Sequence, residues 1–69
     1  MRTPRSDNRY CLPIIKRTRR EVQTAIEDNL ERYRYFEVWL DYITDIDPGF
    51  AASLVGIYPH RLIMVTRRQ

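Results

Sequence analysis

Three short apolar runs of strand length, residues 10–15, 35–43 and 61–66, are separated by two stretches with helical spacing. Nothing else in the chain constrains its fold as strongly. Strands that alternate with helices pair in parallel, because a tight turn cannot join parallel neighbours and a helical crossover can. Such crossovers are right-handed in nearly all cases. If the three strands lie side by side in chain order, both helices therefore cover the same face of the sheet. A chain of 69 residues has nothing left for the other face. That face is expected to show Trp39 and alternate residues of the outer strands, and to seek a cover.

The segments carry their own start and stop signals. In Tyr10-Cys11-Leu12-Pro13-Ile14-Ile15, Pro13 has no N–H to give a sheet, which suits an edge strand or a bulge. Thr18-Arg19-Arg20-Glu21 matches a capping box and predicts a helix over residues 19–33. Val22, Ile26, Leu30 and Tyr33 share one side of it, with Ala25 and Asn29 beside them. The other side is charged, and Asp28 and Arg32 form a favourable i,i+4 pair. Asp47-Pro48 predicts a second helix, residues 48–55, with Phe50, Ala51, Leu54 and Val55 as its apolar stripe. Gly56 is its expected stop, and residues 57–60 form a loop. Residues 1–9 are polar and basic and read as a loose arm; residues 10–69 make the folded unit.

The middle run is the most informative. Strand side chains alternate between faces, so Phe36, Val38 and Leu40 fall on one side and Tyr35, Glu37, Trp39 and Asp41 on the other. A strand buried on both faces is close to continuously apolar. Here two carboxylates, a phenol and an indole occupy one face, which must be solvated on an open sheet or used as a polar site.

Size and composition set limits. A chain this short buries only about 60% of its unfolded surface, so it is marginal without a staple. Cys11 is the single cysteine, which excludes an internal disulfide and a cysteine-cluster metal site; it is expected as a small buried hydrophobe. No apolar run approaches the roughly 20 residues that span a bilayer. The N-terminal residues lack the apolar core of a secretory signal. A soluble, reducing, cytoplasmic setting is expected.

The net charge is +3, and Lys16 is the only lysine among twelve basic side chains. Arginine favours bidentate contact with carboxylates and phosphates, so an anionic ligand fits. The Lys16–Arg20 cluster reads first as a solvated helix entrance. It could also draw in an anion or meet nucleic-acid phosphates. A basic binding module for nucleic acid or an acidic protein is thus the alternative reading, using Arg2, Arg5, Arg9, Lys16–Arg20, Arg67 and Arg68. Against nucleic acid, no recognised motif is present and no aromatic residues interleave with the basic cluster. His60, the only histidine, reads as a solvated loop residue.

Cys11-Leu12-Pro13-Ile14-Ile15-Lys16, Glu37-Val38-Trp39-Leu40-Asp41-Tyr42 and Leu62-Ile63-Met64-Val65-Thr66-Arg67 together resemble a known family. Their order and spacing are similar to the first three strands of the type I 3-dehydroquinate dehydratases. The resemblance runs from about residue 9 to residue 68 and would cover roughly the first quarter of a (β/α)8 barrel of about 250 residues. It implies a β-α-β-α-β unit from a TIM-type barrel. The family is a lyase of the shikimate pathway of aromatic amino acid biosynthesis. It converts 3-dehydroquinate to 3-dehydroshikimate through a lysine Schiff base, with a histidine proton shuttle and no cofactor.

By this resemblance Glu37 helps hold the substrate's hydroxyls, and Arg67 is the arginine that closes the third strand. The family's frequent Thr-x-Arg pattern would select Arg68 instead. Asp41 matches the acidic residue ending the second-strand motif, as a structural anchor. Trp39 stands where the motif usually has arginine, and an indole cannot bind a carboxylate as a guanidinium does. Lys16 and His60 do not match the Schiff-base lysine and catalytic histidine, which belong to later strands. The implied reading is an N-terminal fragment that carries no catalytic residue and is inactive alone. Its implied partners are a small anionic polyhydroxy carboxylate once the barrel is complete, and a homo-oligomer or complementing chain on the uncovered sheet face. No membrane partner is expected.

Overall fold

The computed structural model describes residues 10–66. Within them β1 (Cys11–Ile14), α1 (Arg19–Asp28), β2 (Tyr35–Trp39), a 3-10 turn (Leu40–Tyr42), α2 (Phe50–Ile57) and β3 (Leu62–Val65) follow one another. The strands form one parallel sheet in the order β1-β2-β3. The expected α/β class, strand order and pairing direction are all observed. The expected arm at residues 1–9 lies outside the described residues.

Register and burial together assign the two faces. Leu12 pairs with Phe36 and Phe36 with Leu62; Ile14 pairs with Val38 and Val38 with Met64. These residues pack in one cluster with Val22 and Ile26 of α1 and Phe50 and Leu54 of α2. Both helices thus lie on one face, where Phe36 and Val38 are each 0% exposed. Burying an aliphatic or phenylalanine side chain completely contributes about 1.5–3 kcal/mol, so this layer supplies most of the folding drive. On the opposite face Pro13 and Ile63 are exposed and flank Glu37 in register.

Local chemistry explains most of the boundaries. The Thr18 hydroxyl accepts from the Glu21 N–H at 3.1 Å, so the capping signal opens α1 as expected. The helix then ends at Asp28 rather than residue 33. Asn29 stops it: its backbone N–H donates to the Ile26 carbonyl and its side-chain amide to the Ala25 carbonyl, at 3.0 and 2.8 Å. Asparagine competes well for such carbonyls, which is why it suits caps better than helix interiors. The early end takes Arg32 off the helix and dissolves the expected i,i+4 pairing with Asp28. Leu30 and Tyr33 still pack against the core.

The second strand is also shorter than expected. It ends at Trp39, and Leu40–Tyr42 form a 3-10 turn that closes with the Ile43 N–H on the Leu40 carbonyl at 3.1 Å. The neighbours decide this: β1 pairs no further than Val38 and β3 no further than Trp39. Beyond that point the backbone has no ladder to continue.

The second helix begins at Phe50, two residues later than expected. Asp47 still starts the turn, its carboxylate accepting from the Gly49 N–H at 2.9 Å and its carbonyl from the Phe50 N–H at 3.1 Å. The helix continues through Gly56 to Ile57. Val55, expected on the apolar stripe, is exposed, while Tyr58 just past the helix is buried. No described glycine has a positive φ; the left-handed residue is His60, with φ of 66°. Among the described residues no helix is long and apolar enough to cross a membrane.

Candidate functional site

Glu37 and Trp39 are two residues apart on one strand, so they project from the same face of the sheet. Among the described residues that face carries no helix. The Trp39 indole N–H donates to Glu37 Oε1 at 3.0 Å. The indole ring also meets Tyr42 edge to face, with centroids 6.2 Å apart and planes at 75°. Trp39 is therefore both a packing residue, as expected, and the group that orients the carboxylate. A carboxylate has about four lone-pair sites, so one indole donor leaves capacity for hydroxyl or ammonium donors of a ligand.

Cys11, in register with Tyr35, lies on this same face and is half-buried rather than fully buried. Partial burial, and then the negative charge of Glu37, push its thiol above the ordinary range. Both effects disfavour the thiolate, so Cys11 is poorly suited to nucleophilic chemistry.

Asp41, expected as a structural anchor, and Lys16 and His60, expected outside the site, lie away from Glu37 in the described structure. Asp41 sits exposed in the 3-10 turn, off the strand face it was expected to share with Glu37. Arg67 and Arg68 lie outside the described residues. Lys16 is exposed in the loop after β1, and His60 is exposed in the loop before β3. The structure does not bring Lys16 or His60 onto the Glu37 face. Among the described residues no group of three or more His, Cys, Asp or Glu side chains could hold a metal ion.

Two arginines do structural work that sequence spacing did not reveal. At the C-terminal ends of the strands, the Arg19 backbone N–H donates to Asp45 Oδ1 at 2.8 Å. Its guanidinium pairs with Asp45 at 3.4 Å and with Asp47. Beside it, the Thr44 N–H and hydroxyl both donate to the Arg17 carbonyl, at 2.7 and 3.0 Å. These contacts join the loop after β1 to the loop after the 3-10 turn. The Arg19 backbone N–H is the main reason the Asp45 carboxyl is held below the usual range, with the guanidinium adding to it. Arg19 is thus committed to carboxylates of this chain, which weakens the Lys16–Arg20 cluster as a phosphate-binding surface.

At the opposite end of the sheet, Arg61 clamps the loop between α1 and β2. Its Nη2 donates to the Leu30 and Tyr33 carbonyls at 2.8 and 2.6 Å, and its Nε to the Arg34 carbonyl at 2.9 Å. The guanidinium carbon lies 5.7 Å from the centre of the Phe36 ring. Partners 27 to 31 residues away leave no local pattern by which Arg61 could be recognised.

No protein-family profile, curated protein or solved structure matches the chain.

Proposed function

We propose that the chain supplies the first three strands of a (β/α)8 lyase of the type I 3-dehydroquinate dehydratase kind, with the helix-free sheet face as part of the barrel's inner wall. One observation carries the reading. Glu37, the carboxylate that the resemblance assigns to substrate hydroxyls, stands on the face without helices and is oriented there by Trp39. In such barrels the helices form the outer ring and the strands' other face lines the interior. The parallel order of β1, β2 and β3, with both crossover helices on one face, suits that placement.

In the completed barrel Glu37 accepts hydrogen bonds from the ring hydroxyls of an anionic polyhydroxy carboxylate. Arg67, or Arg68 by the Thr-x-Arg pattern, is the arginine that the resemblance adds to the site. Trp39 changes one part of this arrangement. It gives Glu37 a neutral donor in place of a guanidinium, so the substrate carboxylate must be held elsewhere. The lysine and histidine for the chemistry come from outside this chain, which is inactive alone. The basic-module alternative has no comparable support, since Arg19 is occupied by Asp45 and Asp47.

The test is made on the native gene product captured through this segment. Incubation with 3-dehydroquinate and borohydride should trap a covalent substrate adduct on a lysine, and dehydration should be readily assayed. Glu37→Gln should lower turnover at least tenfold, the loss expected when one charge-assisted contact is removed. Absence of both adduct and dehydration in the native product would refute the assignment.

A further inference from the structure

The N-terminal end of the sheet holds a basic corner that the proposed lyase site does not use. Arg34, Pro59, His60 and Arg61 line a cavity of about 300 Å³. Among the described residues no carboxylate lines it. The adjoining groove adds Arg32 and shares Arg34 and Arg61, with Glu31 as its acidic member.

Three observations distinguish this corner from an ordinary solvated patch. The Arg61 guanidinium is fixed by three main-chain carbonyls through Nε and Nη2, and Nη1 takes part in none of those bonds. The Arg34 guanidinium carbon lies 5.8 Å from the centre of the Tyr35 ring, a cation–π contact that holds a long side chain near the same cavity. His60 is held in the left-handed region at φ of 66°. That conformation is uncommon outside glycine, although histidine tolerates it better than most residues, and strained positions of this kind cluster at ligand-binding sites.

We propose that Arg34, His60 and Arg61 form a binding site for a phosphate dianion, free or carried by a small phosphorylated molecule. Guanidinium donors suit phosphate oxygens better than any other side chain, and they remain charged at every relevant pH. Two arginines line this cavity with an imidazole that can add a third donor. Holding the cations in advance lowers the ordering cost of binding. The site lies before β2 and β3, at the end of the strands away from the Arg19–Asp45 junction, and stands or falls independently of the lyase reading.

The experiment is a titration of the labelled chain with inorganic phosphate, followed by two-dimensional amide and arginine Nε–H resonances. Saturable shifts should appear at Arg34, His60 and Arg61 and not at residues 16–20. Arg34→Gln and His60→Gln, which leave the Arg61 clamp intact, should each weaken binding about tenfold with the remaining spectrum unchanged. Glucose 6-phosphate binding at the same residues, with no response to glucose, would support a phosphorylated small molecule as ligand; a response to phosphate alone would support the free ion. Non-saturating shifts spread over all basic residues would overturn the proposal, as would unchanged affinity in Arg34→Gln. So would a short oligonucleotide that binds far more tightly than phosphate and shifts residues 16–20 as well.

Discussion

The two faces of β2 have the same backbone and opposite fates. Phe36 and Val38 point into the layer beneath α1 and α2 and are excluded from water. Glu37 and Trp39, one residue out of phase, stand on the face that none of the described helices covers. A single-residue slip in register would exchange them, burying a carboxylate and exposing a phenylalanine. The helix-covered face therefore carries the fold, and the bare face is available to carry function. That difference is measurable, because substitutions on the two faces should differ in cost by several kcal/mol.

The largest effect is expected at the centre of the covered face. Phe36→Ala removes a ring that is 0% exposed and should cost about 3–5 kcal/mol. Domains of this size have only a few kcal/mol to lose, so the variant should be largely unfolded by circular dichroism at room temperature. A cooperative urea transition close to wild type would break the account of the core.

Arg61→Met comes next, since it keeps much of the side-chain bulk but leaves the Leu30, Tyr33 and Arg34 carbonyls without their shared donor. A loss of about 1–3 kcal/mol is expected from urea denaturation. Arg61→Lys should rescue little of it, because one ammonium cannot reproduce the planar fork. Full rescue by lysine would show that charge rather than geometry matters.

Thr18→Ala tests the cap of α1 and should cost about 1 kcal/mol by the same measurement. An effect within error would mean that Glu21 and the Arg17–Thr44 contacts hold the helix start without it.

Tyr58 offers a comparison by pH. Burial raises its phenol above the ordinary value of 10.0, and the acceptor Glu27 adds to the shift. A raised folded pKa means the neutral phenol is favoured in the fold. Its contribution is full below the unfolded pKa near 10 and is lost as pH rises through the higher folded value. Tyr58→Phe should therefore be less stable than wild type near neutral pH, with the gap narrowing above pH 10. A gap that widens there would reverse the sign and contradict the assigned environment.

The smallest effect belongs to the bare face. Ile63 is 46% exposed beside Glu37, and Ile63→Thr should change stability by about 0.5 kcal/mol or less. A loss comparable with Phe36→Ala would mean that the isolated chain already covers this face.

Much of this contrast was legible in the sequence, because it rests on periodicity. Alternation along residues 35–39 separated Phe36 and Val38 from Glu37 and Trp39, and helical spacing found Val22, Ile26, Phe50 and Leu54. Thr18 and Glu21 marked the start of α1 through a contact three residues long. The early end of α1 has a local cause in Asn29, but the misses at β2 and at the two arginines depend on partners distant in the chain. The strand stops at Trp39 because β1 and β3 run out, which Leu40–Tyr42 cannot encode by themselves. Arg19 belonged to a cluster read as a solvated helix entrance and Arg61 carried no local signal, and only the fold brings distant carboxylates and carbonyls to them. Gly56 carried a stop signal that the chain did not use, and His60 took the left-handed conformation instead. For the candidate site, the sequence identified Glu37, while Trp39 was read as a departure from a motif and proved to be the donor that holds that carboxylate. Asp41 was misplaced by the same shortened strand.

The proposed role of the helix-free face is that of an inner wall awaiting further strands. The most direct test is the intact mass of the native product, isolated from its source with an antibody against this segment. The account predicts a single chain of roughly 250 residues, the size of a complete (β/α)8 barrel, or this 8.4 kDa chain bound to one that completes the barrel. A folded, monomeric 8.4 kDa species with no companion would contradict it.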